Sequence, residues 1–318
     1  MVKDYFDRLL LKQIKTYKIL VAVLVFLVLL LAWWIFFGMG RVHILLGNYP
    51  LLDPAREYIA PENYIINLQD LRVYLHGLEL KYPDSISIYY EQVNSGSNIS
   101  VNKNLRLFPA SLSKLVQAIL ITKKVENGFL SWGQKISILP KDISFESGDL
   151  YKRVGQNQFS LEKLLEELII NSDNTAQNTF KHYLNFEDYV AFQQATGLED
   201  LYNEQGFVSA KEYTRILRVL YTSNFLKSEN SEKILEYMAR ANFTDYLSQG
   251  IPKNIKFAHK YGENKEHYLF ADSGVVYVPN RPYMLTVMIK GSDWSSETRQ
   301  WATSLMKEIS ERAYNVSK

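Results

Sequence analysis

From Ile19 to Gly40 the chain reads ILVAVLVFLVLLLAWWIFFGMG, 22 residues without a charge. At 1.5 Å per residue, a helix of that length crosses the hydrocarbon core of a bilayer. Trp33, Trp34, Phe36 and Phe37 fall near its end, where amphipathic rings favour the interface. Downstream, Pro50, Pro54 and Pro61 interrupt a mixed stretch that reads as a stalk over 41–66. Period-3.6 patterning predicts a helix over Leu68–Lys81, with Leu71, Val73, Leu75, Leu78 and Leu80 largely on one side. Ser85–Tyr90 and Ile99–Val101 flank NSGSN as a hairpin. Ala110–Glu126 is an apolar helix stopped at Gly128, and Leu161–Asn171, Thr175–Tyr183 and Ser209–Tyr221 are further helices, the last capped by Ser209. Asn254–His259, Leu269–Val278 and Tyr283–Ile289 read as strands, and Ser295–Tyr314 as a closing helix.

Strands at both ends with helices inserted between them predict an α+β domain over 67–318, an antiparallel sheet covered by helices. The tail of residues 1–18 carries Lys3, Arg8, Lys12, Lys15 and Lys18 against Asp4 and Asp7, a net +3. The positive-inside rule keeps that tail cytoplasmic, makes 19–40 a single membrane span in contact with lipid, and places the domain outside. The long tail and the lack of a small-x-small site favour an uncleaved anchor over a signal peptide.

Composition closes off several chemistries. Basic and acidic residues nearly cancel, 36 against 34, which gives no electrostatic reason for a nucleic-acid partner. With no cysteine there are no disulfides and no thiolate sites. The five histidines lack metal-ligand spacing, so no metal is expected. No phosphate-binding glycine motif follows a strand, and no cofactor is implied.

What remains is serine chemistry. An S-x-x-K on a helix sets a hydroxyl and an amine on one face, and an amine held uncharged by burial can take the hydroxyl proton. The motif occurs three times, at Ser111–Lys114, Ser160–Lys163 and Ser304–Lys307. Only the first opens an apolar helix directly after a strand pair, where the Ser111 N–H is free to face an oxyanion. Ser172-Asp173-Asn174 occurs once, 61 residues beyond Ser111, in NSDNTAQN. Lys260-Tyr261-Gly262 follows, ahead of two strand-like segments.

These three elements in this order resemble the class A β-lactamase and penicillin-binding serine hydrolase family, over roughly Asp84 to Tyr314. The resemblance implies that Ser111 is acylated and that Lys114 is its general base. Ser172 would relay a proton to the leaving nitrogen, and Asn174 would hold Lys114 or a substrate amide. Lys260 would attract a substrate carboxylate, and Gly262 would admit the substrate to the strand edge. The N–H groups of Ser111 and Glu263 would form the oxyanion hole.

Two departures stand out. Tyr261 takes the place of a small hydroxyl residue, and the 88 residues from Ser172 to Lys260 are fewer than the family's usual number. The shortening falls where the family carries a glutamate that activates the deacylating water. Glu199-Asp-Leu-Tyr-Asn203 keeps the Glu-to-Asn spacing and makes Glu199 the candidate. Three functions stay open: β-lactam hydrolysis, cleavage of D-alanyl cell-wall peptides, and a binding or sensing module without turnover.

Overall fold

The computed structural model describes residues 14–33, 49–52, 65–153, 155 and 158–318. The predicted tail to residue 13, residues 34–40 of the predicted span and most of the predicted stalk lie outside the described residues. The chain divides into two compact units, Met1–Pro50 and Leu51–Lys318. In the first, helix α1 (Ile14–Trp33) is apolar, exposed along its length and long enough to cross a membrane.

The second unit is built on a five-stranded antiparallel sheet in the order β2-β1-β7-β6-β5. Its strands are β1 (Ile86–Gln92), β2 (Asn98–Val101), β5 (Phe257–Asn264), β6 (Leu269–Val276) and β7 (Tyr283–Lys290). β3 (Lys135–Ser137) and β4 (Gln158–Ser160) form a separate small ribbon. Alternation along each strand sends its side chains to two cores. Ile86, Ile88, Tyr90, Leu285, Val287 and Ile289 pack with α2 (Gln69–Lys81) and α9 (Ser296–Ser317). Met284, Met288, Ala271, Val275 and Ala258 meet a helical layer. That layer contains α3 (Ser113–Glu126), α4 (Leu161–Ile170), α5 (Asn174–Phe180), α6 (Phe186–Thr196), α7 (Ala210–Tyr221) and α8 (Ser228–Ala239). The predicted helices and strands are present. β5 runs five residues beyond the predicted end at His259, which places Lys260 and Gly262 inside the strand.

The unit begins ahead of residue 67. Leu51 is buried in the helical core, its N–H meets the Glu232 carboxylate at 3.0 and 3.1 Å, and its carbonyl accepts from the Tyr277 hydroxyl at 2.8 Å. Part of the predicted stalk is thus a structural element of the domain.

The helix-facing side of the sheet is not wholly apolar. Thr286, Ser273 and Lys260 are cross-strand neighbours, forming a polar row that ends on the edge strand β5. Buried hydroxyls are costly unless bonded, and these are: Thr286 Oγ1 lies 2.6 Å from both Ser273 Oγ and Thr214 Oγ1. The row carries polarity from the sheet interior to the site described next.

Candidate active site

Ser111 lies in a short 3-10 turn, Ala110–Leu112, that leads directly into α3. Ala110 has φ +49°, a left-handed conformation that costs a non-glycine residue about 1–2 kcal/mol. The neighbours hold it there: Ser113 Oγ donates to the Ala110 carbonyl at 2.8 Å, and the buried Tyr213 hydroxyl donates to the Leu112 carbonyl at 2.9 Å. One turn on, Lys114 faces inward from α3 and is itself wholly buried.

The Lys114 amine has three acceptors: Asn174 Oδ1 at 2.6 Å, Ser172 Oγ at 3.1 Å and the Ser172 carbonyl. Three acceptors match the three donors of an ammonium. Burial nevertheless pulls this amine down to about 7; Lys181 acts the same way, against Asp173 and Glu146. The amine therefore changes charge near neutrality, where a general base works best.

Ser172 and Asn174 are brought to Lys114 by the start of α5. Asp173 is its N-cap, accepting from Ala176 N at 2.9 Å, and its second oxygen accepts from Leu150 N at 2.9 Å. Ser172 has φ +52°, which turns its hydroxyl back toward α3. A loop over 144–149 wraps this turn. Ser147 Oγ donates to the Ser172 carbonyl at 3.0 Å, and Asn174 Nδ2 donates to Glu146 at 3.3 Å. Gly148, at φ +83°, leaves no room for a side chain, because a Cβ would fall 2.0 Å from the Asp173 carboxylate. The sequence reading passed over Glu146, Ser147 and Gly148; the glycine in ESGD is the signal for the close approach.

β5 closes the other side. A Cβ on Gly262 would lie 3.0 Å from Ser111 N and 3.1 Å from Leu112 N, so the strand touches the backbone of the nucleophile turn. Lys260, two residues earlier, is wholly buried and donates to the Tyr261 carbonyl at 3.0 Å. Burial and the Lys114 charge hold its amine well below the usual range, against the Asp272 carboxylate. Tyr261 stacks on Phe243 with centroids 3.7 Å apart, and the hydroxyls of Ser147 and Ser172 reach its phenol. The Glu263 side chain pairs with Arg299 and accepts from Tyr246.

Glu199 does not join this cluster. It is exposed in the turn after α6, and among the described residues no hydrogen bond or ion pair links it to Ser111, Lys114 or Ser172. Its segment is tied to the loop leading to Ser111 by the isolated Leu107–Val208 bridge and by Arg106, which donates to the Asp200 carbonyl at 2.8 Å. The other two S-x-x-K copies have ordinary roles: Ser160 caps α4, and Ser304 and Lys307 are exposed on α9. Among the described residues, no His, Asp and Glu cluster suits a metal ion.

The chain is 22% identical over 246 residues to β-lactamase VEB-1 of Pseudomonas aeruginosa, covering 70% of this chain and 82% of the relative. The structure of PBP-A matches with a TM-score of 0.69 at 23% identity, over 78% of this chain and 96% of that one. A β-lactamase from Xanthomonas campestris matches with a TM-score of 0.70 at 19% identity, over 80% and 100%. At these identities the structures establish the fold. A profile of the β-lactamase enzyme family matches residues 70–317, and by that match this chain belongs to the β-lactamase enzyme family of serine hydrolases.

Proposed function

We propose that this chain opens β-lactam amides, and the related amide of D-alanyl cell-wall peptides, by acylating Ser111. The observation that carries the proposal is the buried Lys114 amine, drawn to about 7 and held against Ser172 and Asn174 one helical turn from the serine. Neutral Lys114 takes the Ser111 proton as the hydroxyl attacks the carbonyl. The Ser111 and Glu263 N–H groups receive the oxyanion, and Ser172 returns a proton to the departing nitrogen. Lys260 attracts the substrate carboxylate, and Gly262 leaves the strand edge open to the substrate.

Release of the acyl group is slower than its formation in this reading. Deacylation needs a base over the ester, and Glu199 stands exposed on its turn. The carboxylate nearest Lys114 through a hydrogen bond is that of Glu146, which is exposed and acts through Asn174. A variant of PBP-A, itself 22% identical to this chain, is described as an acyl-enzyme complex with penicillin G, the species proposed here. The apolar α1 supports a membrane anchor, and the net +3 of the tail is the ground for setting the domain on the extracytoplasmic side.

The test is to incubate the protein with a chromogenic cephalosporin while following its intact mass, with Ser111→Ala alongside. Adduct formation faster than colour development, absent in the variant, is the expected result. Rapid colour without an adduct identifies an efficient β-lactamase. No adduct and no colour refutes the assignment of Ser111.

A further inference from the structure

A lysine that is to attract a carboxylate must carry its proton, and Lys260 sits where protonation is hardest. It is wholly buried, its amine donates to a carbonyl, and a second amine, Lys114, repels it. Among the described residues it has no ion-pair partner, in contrast to the many surface lysines that do. The charge opposing this penalty lies on the other face of the sheet. Asp272 on β6 is the register partner of Tyr261, next to Lys260 along β5, and is also wholly buried.

Asp272 is fixed by three donors. His259 Nδ1 lies 2.9 Å from its Oδ1, Ser273 N donates to the same oxygen at 2.9 Å, and Leu247 N donates to Oδ2 at 3.3 Å. His259 is itself clamped, stacked on Phe257 with centroids 4.3 Å apart, its Nε2 3.5 Å from Ser248 Oγ. Among the described residues no lysine or arginine pairs with this buried carboxylate, and across one sheet thickness its field reaches Lys260 with little water to screen it.

We infer that Asp272, oriented by His259, is a positioning residue that keeps Lys260 cationic and so lets the site select substrates bearing a carboxylate. This rests on the carboxylate-binding role proposed for Lys260. The charged and titratable groups around the pair are Lys114 from α3, Tyr213 from α7, Tyr246 from the turn before β5, and His259, Tyr261 and Glu263 on β5 itself. Of these only Lys114 and Asp272 shift Lys260.

The experiment measures Ser111 acylation by benzylpenicillin and by its methyl ester, in the full chain, between pH 6 and 9. In Asp272→Asn the acid-to-ester rate ratio falls about tenfold near pH 7.5. The alkaline limb for the acid also moves down by about one pH unit, since a less stabilised ammonium loses its proton earlier. Asp272→Glu restores most of the ratio; if Asp272→Asn does not fold, His259→Phe, which removes the Nδ1 contact that orients the carboxylate, lowers the ratio about threefold, and an unchanged ratio overturns the inference. A parallel fall for acid and ester, or a limb that stays in place, overturns the inference. The 13Cε shift of Lys260, assigned with Lys260→Arg, separates the two proposals if Ser111 is never acylated: a midpoint lowered in Asp272→Asn upholds the coupling, and an unmoved one refutes it.

Discussion

Replacing Lys114 by methionine removes the proposed base and a buried charge in one step, and the structure fixes the direction of both effects. An amine at its ordinary 10.5 would be neutral in about 0.03% of molecules at pH 7, whereas at about 7 half are neutral, a gain of roughly 1,500-fold in the reactive form. The acylation rate of Ser111 is therefore expected to rise about tenfold per pH unit below 7 and to flatten above it. Lys114→Met should lower the plateau by about 10³. The same shift has a stability consequence of opposite sign. A lysine whose folded pKa is depressed destabilises the fold in full below about 7, and the penalty disappears as pH rises through its unfolded value near 10.5. The shift corresponds to about 5 kcal/mol at most. Leaving Ser172 O, Ser172 Oγ and Asn174 Oδ1 without a donor costs about 1 kcal/mol each. Lys114→Met should thus gain about 2 kcal/mol at pH 6, break even near pH 8 and lose about 2 kcal/mol at pH 10. Intact-mass kinetics and urea melts across pH measure both. A pH-independent acylation rate, or a variant acylated within tenfold of the wild type, refutes the assignment of the base.

Gly262→Ala presses a methyl group on the backbone of Ser111 and Leu112, so acylation should fall about 10- to 100-fold, with thermal stability lowered by only a few degrees. Glu199→Gln should change the lifetime of the acyl-enzyme less than about twofold, as judged by loss of the adduct mass; a fall of about 10² or more would place its carboxylate at the ester. Removing the leucine anchor ahead of α2 should matter more than a stalk would suggest: Leu51→Ala is expected to cost about 2–4 kcal/mol by urea denaturation, and a fragment begun at residue 67 to be less stable than one begun at 49.

Local signals in the sequence were followed where the physics is local. Ser209 caps α7, and the turn-rich NSGSN joins β1 to β2. Ser172 and Asn174 stand beside Lys114 because the turn that Asp173 caps carries both of its neighbours there. Contacts between distant segments leave no period to read. The Leu51–Glu232 bond, the Phe243–Tyr261 stack and the Ser147 contact with Ser172 each join residues with no shared pattern. α8 escaped for a related reason: its buried face includes Asn230, Ser231 and Glu232 with its apolar residues, which weakens the periodicity. Glu199 shows the limit of spacing as a guide, since the Glu-to-Asn interval is kept while the side chain points to solvent.

The central claim is that Ser111 becomes covalently acylated with Lys114 as its base. Peptide mapping of the full chain after reaction with benzylpenicillin tests it most directly. The account predicts a single penicilloyl adduct on the peptide containing Ser111, lost in Ser111→Ala and formed about 10³ times more slowly in Lys114→Met. An adduct on Ser172 or another residue, or one that persists in Ser111→Ala, would contradict it.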